Sequence, residues 1–190
     1  MKSTDAEQSQ VILVDNNDCP IGIADKLTAH QQGLLHRAFS IFIFRETNNK
    51  FELLLQQRSD NKYHCAGLWT NTCCSHPQPG EDITESAYNR LKFEMGLECP
   101  LHEVGVLTYR AEVGNGLIEH EIDHIFIGKY LDNMIYFNHD EVQDYQWISL
   151  AKLEDDIQEN LNKYTPWLKE TLQIIVEKNI LDDYFRDSCN

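Results

Sequence analysis

Gly67-Leu68-Trp69-Thr70-Asn71-Thr72-Cys73-Cys74-Ser75-His76-Pro77-Gln78-Pro79-Gly80 runs directly into Glu81-Asp82-Ile83-Thr84-Glu85-Ser86-Ala87-Tyr88-Asn89-Arg90-Leu91-Lys92-Phe93-Glu94-Met95-Gly96. The first part reads as short extended chain ending in a Pro/Gly loop, the second as a helix. Asp82 followed by Glu85 has the pattern of a capping box, and Gly96 is a natural helix stop. At about 100° per residue, Ile83, Ala87 and Leu91 form one apolar stripe, and Arg90 and Glu94 fall at its edge and not on the solvent face. On a helix surface such a pair is worth a few tenths of a kcal/mol. Directed inward it costs desolvation, which makes it a functional candidate. Both readings stand at this point.

Working outward, residues 11–14 read as a short buried strand. Residues 37–44 are apolar on both faces and predict a central strand, joined through 46–50 to a strand at 51–58 as a hairpin. Downstream, residues 117–130 alternate as a strand and 145–148 form a shorter one. Leu150, Leu153, Ile157 and Leu161 fit one amphipathic helix; Leu168, Leu172 and Ile175 fit another after Pro166-Trp167. Strands and helices alternate irregularly, so the expected class is mixed α/β (α+β), not a doubly wound parallel sheet. Residues 1–10 are expected to be a loose tail and 11–190 a single domain with C-terminal helices.

Lys plus Arg number 16 against 31 for Asp plus Glu, a formal net charge of −15. A polyanion would be repelled, so nucleic acid is excluded as a main partner. An anionic substrate would need a local cluster of cations or metal. No stretch reaches the roughly 18–20 apolar residues that span a bilayer, and the start is polar and acidic. The expectation is a soluble cytoplasmic protein with no membrane partner. The cysteines Cys19, Cys65, Cys73, Cys74, Cys99 and Cys189 form no CxxC pair, so free thiols are expected.

In the strand at 117–130, Glu119, Glu121 and Asp123 share one face and Ile118, His120, Ile122, His124 and Phe126 the other. Adjacent carboxylates repel unless a cation lies between them. Otherwise the strand is an edge with a solvated face. The chain has eight histidines. His30, His36 and His76 stand at or near loops that could converge. Three histidines with two carboxylates would make an octahedral N/O metal site, unlike four-coordinate structural zinc.

The run from Gly67 to Pro77 resembles type I isopentenyl-diphosphate isomerase. So do Leu35-His36-Arg37-Ala38-Phe39-Ser40, Ile118-Glu119-His120-Glu121, Asp140-Glu141-Val142, Tyr145-Gln146-Trp147 and Pro166-Trp167, in the family's order and across nearly the whole chain. The resemblance implies a Nudix fold, with a mixed sheet packed between helices. The Nudix box is degenerate here. Aligned on Gly96, its first Gly is Ser75 and its first Glu is Glu81. Its Arg-Glu pair becomes Asn89-Arg90, its Glu-Glu pair Phe93-Glu94. Loss of these acids counts against hydrolysis and fits the isomerase branch.

The resemblance implies a divalent metal site at His30, His36, His76, Glu119 and Glu121, filled by Mn²⁺, Mg²⁺ or Zn²⁺. It implies Cys74 and Glu121 as catalytic residues, with Tyr109 in the active site and Trp167 facing the substrate's hydrocarbon. Lys26, Arg58, Lys62, Ser75 and Arg90 match the diphosphate-binding set. Glu94, with the carbonyl of Cys74, would hold a Mg²⁺ on the diphosphate. The substrate would be isopentenyl diphosphate, on a monomer or weak dimer.

Converting isopentenyl to dimethylallyl diphosphate adds a proton at C4 and removes one from C2 through a tertiary carbocation. The site therefore needs an acid, a base and a dry wall. Cys74 thiolate suits the base if local cations and loop amides lower its pKa. Glu121 with Tyr109 suits the acid, and Trp167 offers a π face to the cation. The alternatives are a Nudix-type diphosphate hydrolase, which here keeps only Glu94 of the last three box acids, and a non-catalytic metal- or nucleotide-binding module. The latter would have no need of Cys74, Glu121 and Trp167 together.

Overall fold

The computed structural model describes residues 9–132, 134–177 and 180–187. In chain order the elements are β1 (Gln10–Val14), β2 (Pro20–Asp25), α1 (Lys26–Gln32), β3 (His36–Thr47), β4 (Lys50–Arg58), β5 (Trp69–Thr70), β6 (Cys73–Ser75), α2 (Ile83–Met95), β7 (Leu101–Glu112), β8 (Ile118–Lys129), β9 (Val142–Ser149), α3 (Leu150–Glu159), α4 (Leu168–Glu177) and α5 (Ile180–Asp187). The expected tail at 1–10 lies outside the described residues up to residue 8. Its last residue, Gln10, already pairs with Asp25 in the β1–β2 ladder.

β3 organises the sheet. One of its edges pairs in parallel with β8 from His36↔Glu121 to Phe44↔Lys129. Its other edge meets β1 at His36, β6 at Phe39 to Ile41, and β4 from Phe44 to Thr47. β8 pairs antiparallel with β7, and β4 with β9. The sheet is therefore mixed. The β3–β4 hairpin turns on Asn48 and Asn49, both at positive φ (53° and 57°), the geometry of a two-residue turn that matches strand twist.

Side chains alternate across this sheet into two cores. Phe39, Ile41, Ile43, Leu54 and Phe126 pack with Ala87, Leu91 and Met95 of α2 on one face. Phe42, Phe44, Leu53, Leu55, Ile125 and Ile127 pack with Leu153, Ile157, Leu168, Leu172, Ile175 and Phe185 on the other. This is the mixed sheet between helices that the resemblance implies. Asp82 caps α2 by accepting from the N–H groups of Thr84 and Glu85, and Gly96 closes it in the left-handed conformation (φ 66°). A Cβ at Gly96 would stand 2.6 Å from the carbonyl oxygen of Tyr136, so only glycine fits.

Two expectations change, and one strand has no counterpart among them. Leu161 leaves the helix at Glu159 and lies in a single 3-10 turn, 62% exposed, because the chain turns before its side chain can reach the core. β8 is not an edge strand, since β3 and β7 cover both its edges and its carboxylate face is buried. β7 is not foreshadowed at all: a bulge between Glu103 and Gly105 breaks its alternation, so no period-2 signal runs its length.

Candidate active site

The site sits on the α3–α5 side of the sheet, at the end where that face turns from apolar to polar. Along β3 the face runs Phe44, Phe42, Ser40, Ala38, His36. Along β8 it runs Ile127, Ile125, Asp123, Glu121, Glu119. β7 adds Tyr109, which pairs with Glu121. The same alternation that builds the core thus delivers a row of buried polar groups. Ser40 Oγ donates to Asp123 Oδ2 at 2.8 Å, and Asp123 Oδ1 has no partner among the described residues.

His30 comes from α1, His36 from the first residue of β3 and His76 from just after β6. Their ligand atoms and those of Glu119 and Glu121 all lie within 4.8 Å of one another, and all five residues are buried. His30 Nε2 is 3.0 Å from Glu119 Oε2. His36 Nε2 is 3.2 Å from His76 Nε2, and His76 Nε2 is 2.8 Å from Glu121 Oε1.

The chemistry of this donor set calls for a cation. His30 Nδ1 faces the Lys26 carbonyl at 2.6 Å and His36 Nδ1 faces the Leu34 carbonyl at 2.8 Å. A carbonyl only accepts, so each Nδ1 carries the hydrogen and each Nε2 turns a lone pair inward. Those lone pairs meet carboxylate oxygens, which are also acceptors. Acceptors converging in a buried place are balanced by a metal ion or by added protons, and the ligand set fits a divalent cation.

In the protein alone the charges run as follows. Burial pulls His36 down, but its hydrogen bond with Glu121 and the charges of both glutamates hold it above the usual range. Burial drives His76 well below that range, with the Lys26 charge adding to the effect. Burial pushes Glu121 up, yet its hydrogen bonds, with His36 foremost, bring it down to about 2. Burial and the Glu121 charge keep the Tyr109 hydroxyl well above 10, and it donates to Glu121 Oε2 at 2.5 Å.

Cys74 departs from expectation. Burial pushes its thiol up to about 12, and the Arg58 charge lowers it only in part. Arg58 Nη1 lies 3.9 Å from its sulfur. The resting group is a thiol, because a single cation does not offset the desolvation. Cys73, its neighbour, points the other way into the core under α2.

Lys26, Arg58, Lys62, Ser75 and Arg90 all line one cavity with Cys74, Tyr109, Glu121 and Trp167. The cations are concentrated there despite the net charge of −15. Its volume is about 40 Å³. That is far below the several hundred Å³ of typical ligand pockets, so side chains must shift to admit a substrate. Lys62 and Arg90 both pair with Glu141, to which the sequence reading gave no role although it lies in the Asp140-Glu141-Val142 motif.

Arg90 and Glu94 do turn inward, with Nε to Oε1 at 2.7 Å and exposures of 4% and 2%. Glu94 is not among the cavity-lining residues. Its oxygens accept from Arg90 and from Gln56 at 3.0 Å, so this arrangement does not itself call for a cation. Trp167 is buried with Nε1 donating to Asn71 Oδ1 at 3.2 Å, and Arg58 stands over its ring at 5.6 Å. Tyr109, Val113, Leu117 and Trp167 form an apolar cluster against which Cys74 packs. His64, also unforeseen, lies 2.9 Å from Glu119 Oε1.

The NUDIX domain profile matches residues 34–168. The chain is 50% identical over 162 residues to isopentenyl-diphosphate Delta-isomerase 2 of Photorhabdus laumondii, covering 85% of this chain and 89% of that one. This chain belongs to the NUDIX family, among the isopentenyl-diphosphate Delta-isomerases. Another member of the isomerase family, isopentenyl-diphosphate Delta-isomerase 2 of Aromatoleum aromaticum, is 44% identical, covering 89% of this chain and 87% of its own. Solved structures share the NUDIX fold at lower identity. DR0079 of Deinococcus radiodurans has a TM-score of 0.69 at 14% identity, covering 86% of this chain and 97% of its own. The C. elegans Ap4A hydrolase binary complex has a TM-score of 0.56 at 23% identity, covering 76% of this chain and 97% of its own. No helix among the described residues is long and apolar enough to cross a membrane.

Proposed function

We propose that this chain isomerises isopentenyl diphosphate to dimethylallyl diphosphate. The observation that carries this reading is its 42–50% identity to isopentenyl-diphosphate Delta-isomerases over most of its length. The cavity supports it, placing Cys74, Glu121, Tyr109 and Trp167 beside a cluster of cations.

Lys26, Arg58, Lys62, Ser75 and Arg90 bind the diphosphate. Lys62 and Arg90 exchange Glu141 for phosphate oxygens as the cavity opens, which anchors the substrate's non-reacting end and so orients its alkene. His30, His36, His76, Glu119 and Glu121 would hold a divalent cation, Mn²⁺, Mg²⁺ or Zn²⁺, which would supply positive charge beside Glu121. Glu94, with the Cys74 carbonyl, would hold a Mg²⁺ bound to the diphosphate, giving up its present bonds to Arg90 and Gln56. Glu121, with Tyr109, delivers a proton to C4, and Cys74 removes one from C2. Trp167 faces the tertiary carbocation between these events and excludes water.

The resting charge state favours a second assignment, in which the Cys74 thiol protonates C4 and the Glu121 carboxylate takes the C2 proton. Deuterium separates the two. In D₂O, Cys74→Ala keeps the acid under the first assignment and labels recovered substrate at C4. Under the second it labels nothing. We place the protein in the cytoplasm as a monomer or weak dimer. Incubation with isopentenyl diphosphate and Mg²⁺ tests the activity; inorganic phosphate release without dimethylallyl diphosphate would make it a hydrolase instead.

A further inference from the structure

The two glutamates of the cluster are built alike. Glu121 gives Oε2 to the Tyr109 hydroxyl and turns Oε1 to His76 and His36. Glu119 gives Oε1 to His64 Nε2 at 2.9 Å and turns Oε2 to His30 at 3.0 Å. Each carboxylate thus has one oxygen tied from outside and the other left for the histidines.

His64 is wired oppositely to His30 and His36, and unlike His76, whose Nδ1 likewise has no hydrogen-bond partner among the described residues, it stands outside the five-residue cluster. His30 and His36 bind carbonyls through Nδ1 and present lone pairs. His64 Nδ1 has no hydrogen-bond partner among the described residues, and its Nε2 faces a carboxylate oxygen that only accepts. With the ring outside the cluster, Nε2 carries its hydrogen toward Glu119 Oε1 and is not one of the ligand atoms. Its place is fixed independently of Glu119. The residue is 6% exposed, Arg58 Nη2 donates to its backbone oxygen at 3.2 Å, and Tyr63 and Trp167 pack edge-on against its ring.

We propose that His64 is a positioning residue of the metal centre: its Nε2–H holds Glu119 Oε1 so that Oε2 stays in line with His30 for the ion. This rests on the divalent-cation site proposed above. Outer donors of this kind set ligand orientation, and their loss typically costs about 10–100-fold in metal affinity.

The test is Mn²⁺ titration of metal-free protein, read by electron paramagnetic resonance of free ion, without substrate. Two near-isosteres separate the ring's nitrogens. His64→Gln carries an N–H donor near the Nε2 position, whereas His64→Asn carries its amide near Nδ1 and cannot reach Glu119. The expected result is about 10–100-fold weaker Mn²⁺ binding for His64→Asn and His64→Ala, with His64→Gln recovering most of the affinity. Near-UV circular dichroism of each metal-free variant checks that the fold is kept. Unchanged affinity in Ala and Asn, or equal loss in Gln and Asn, overturns the inference. Wild-type protein that takes up no Mn²⁺ overturns the metal reading itself, and this inference with it.

Discussion

Trp167 gives the sharpest test of a carbocation in this cavity. The ring is 3% exposed, held by its Nε1 hydrogen bond to Asn71, and lines the cavity with Cys74 and Glu121. A desolvated cation–π contact contributes about 2 kcal/mol, which at the transition state corresponds to about 30-fold in turnover. Trp167→Phe keeps a weaker π face and most of the dry wall, so a loss of about 3–5-fold is expected. Trp167→Ala loses the whole interaction and admits water, so turnover should fall by about 30-fold or more. A tertiary alcohol is then expected as a side product.

Stability must be separated from chemistry. Phe gives up one hydrogen bond, about 1 kcal/mol, though Asn71 Oδ1 keeps the Thr70 hydroxyl at 2.9 Å. Ala opens a cavity costing about 3–5 kcal/mol. Both variants are therefore assayed well below their melting temperatures, with kcat, KM and product identity measured for each. A group that meets only the cation changes kcat; one that meets the neutral alkene equally changes only KM. If Trp167→Ala keeps wild-type kcat and only KM rises, the ring packs against the ground state and stabilises no cation.

Cys74→Ala should abolish isomerisation. Cys73→Ala should retain most activity while lowering the melting temperature, because that fully buried side chain packs under α2; equal loss of activity in both folded variants refutes the assignment. A chelator should remove activity, and His36→Ala or His76→Ala should lower bound metal measured by elemental analysis. Unchanged stoichiometry in both would dissolve the proposed centre. Gly96→Ala should destabilise the protein by about 1–3 kcal/mol in urea unfolding with activity per folded molecule unchanged, since a Cβ meets the Tyr136 carbonyl at 2.6 Å and the backbone holds φ 66°. A shift of a few tenths of a kcal/mol would show that the α2 C-terminus relaxes freely.

Periodicity alone carried much of the framework. A strand apolar on both faces, as at Phe39 to Phe44, has to be interior. A helix bounded by Asp82 and Gly96 has its ends written in residues that satisfy backbone groups locally. Helical geometry put Arg90 and Glu94 at the edge of the apolar stripe, because 3.6 residues per turn fixes which side chains share a face; the packed structure turned them inward. The family's motifs then marked Cys74, His36, His76, Glu119 and Glu121, which the chain does bring to one cavity or cluster.

What tertiary structure decided is everything that depends on strand order and burial. The alternation of Glu119, Glu121 and Asp123 is visible in the sequence. Whether that face met water or the protein interior depended on β3 and β7 covering both edges of β8, and those pairings join segments remote in the chain. The Cys74 thiol gives the same lesson: as a base it needed local cations and loop amides to lower its pKa, whereas desolvation raised it to about 12. His64 and Glu141 carried no spacing signal, because each acts on a partner far along the chain, Glu119 and Lys62 respectively. Local sequence sets which side chains share a face; desolvation and long-range pairing are properties of the assembled sheet, and they decide what those side chains can do.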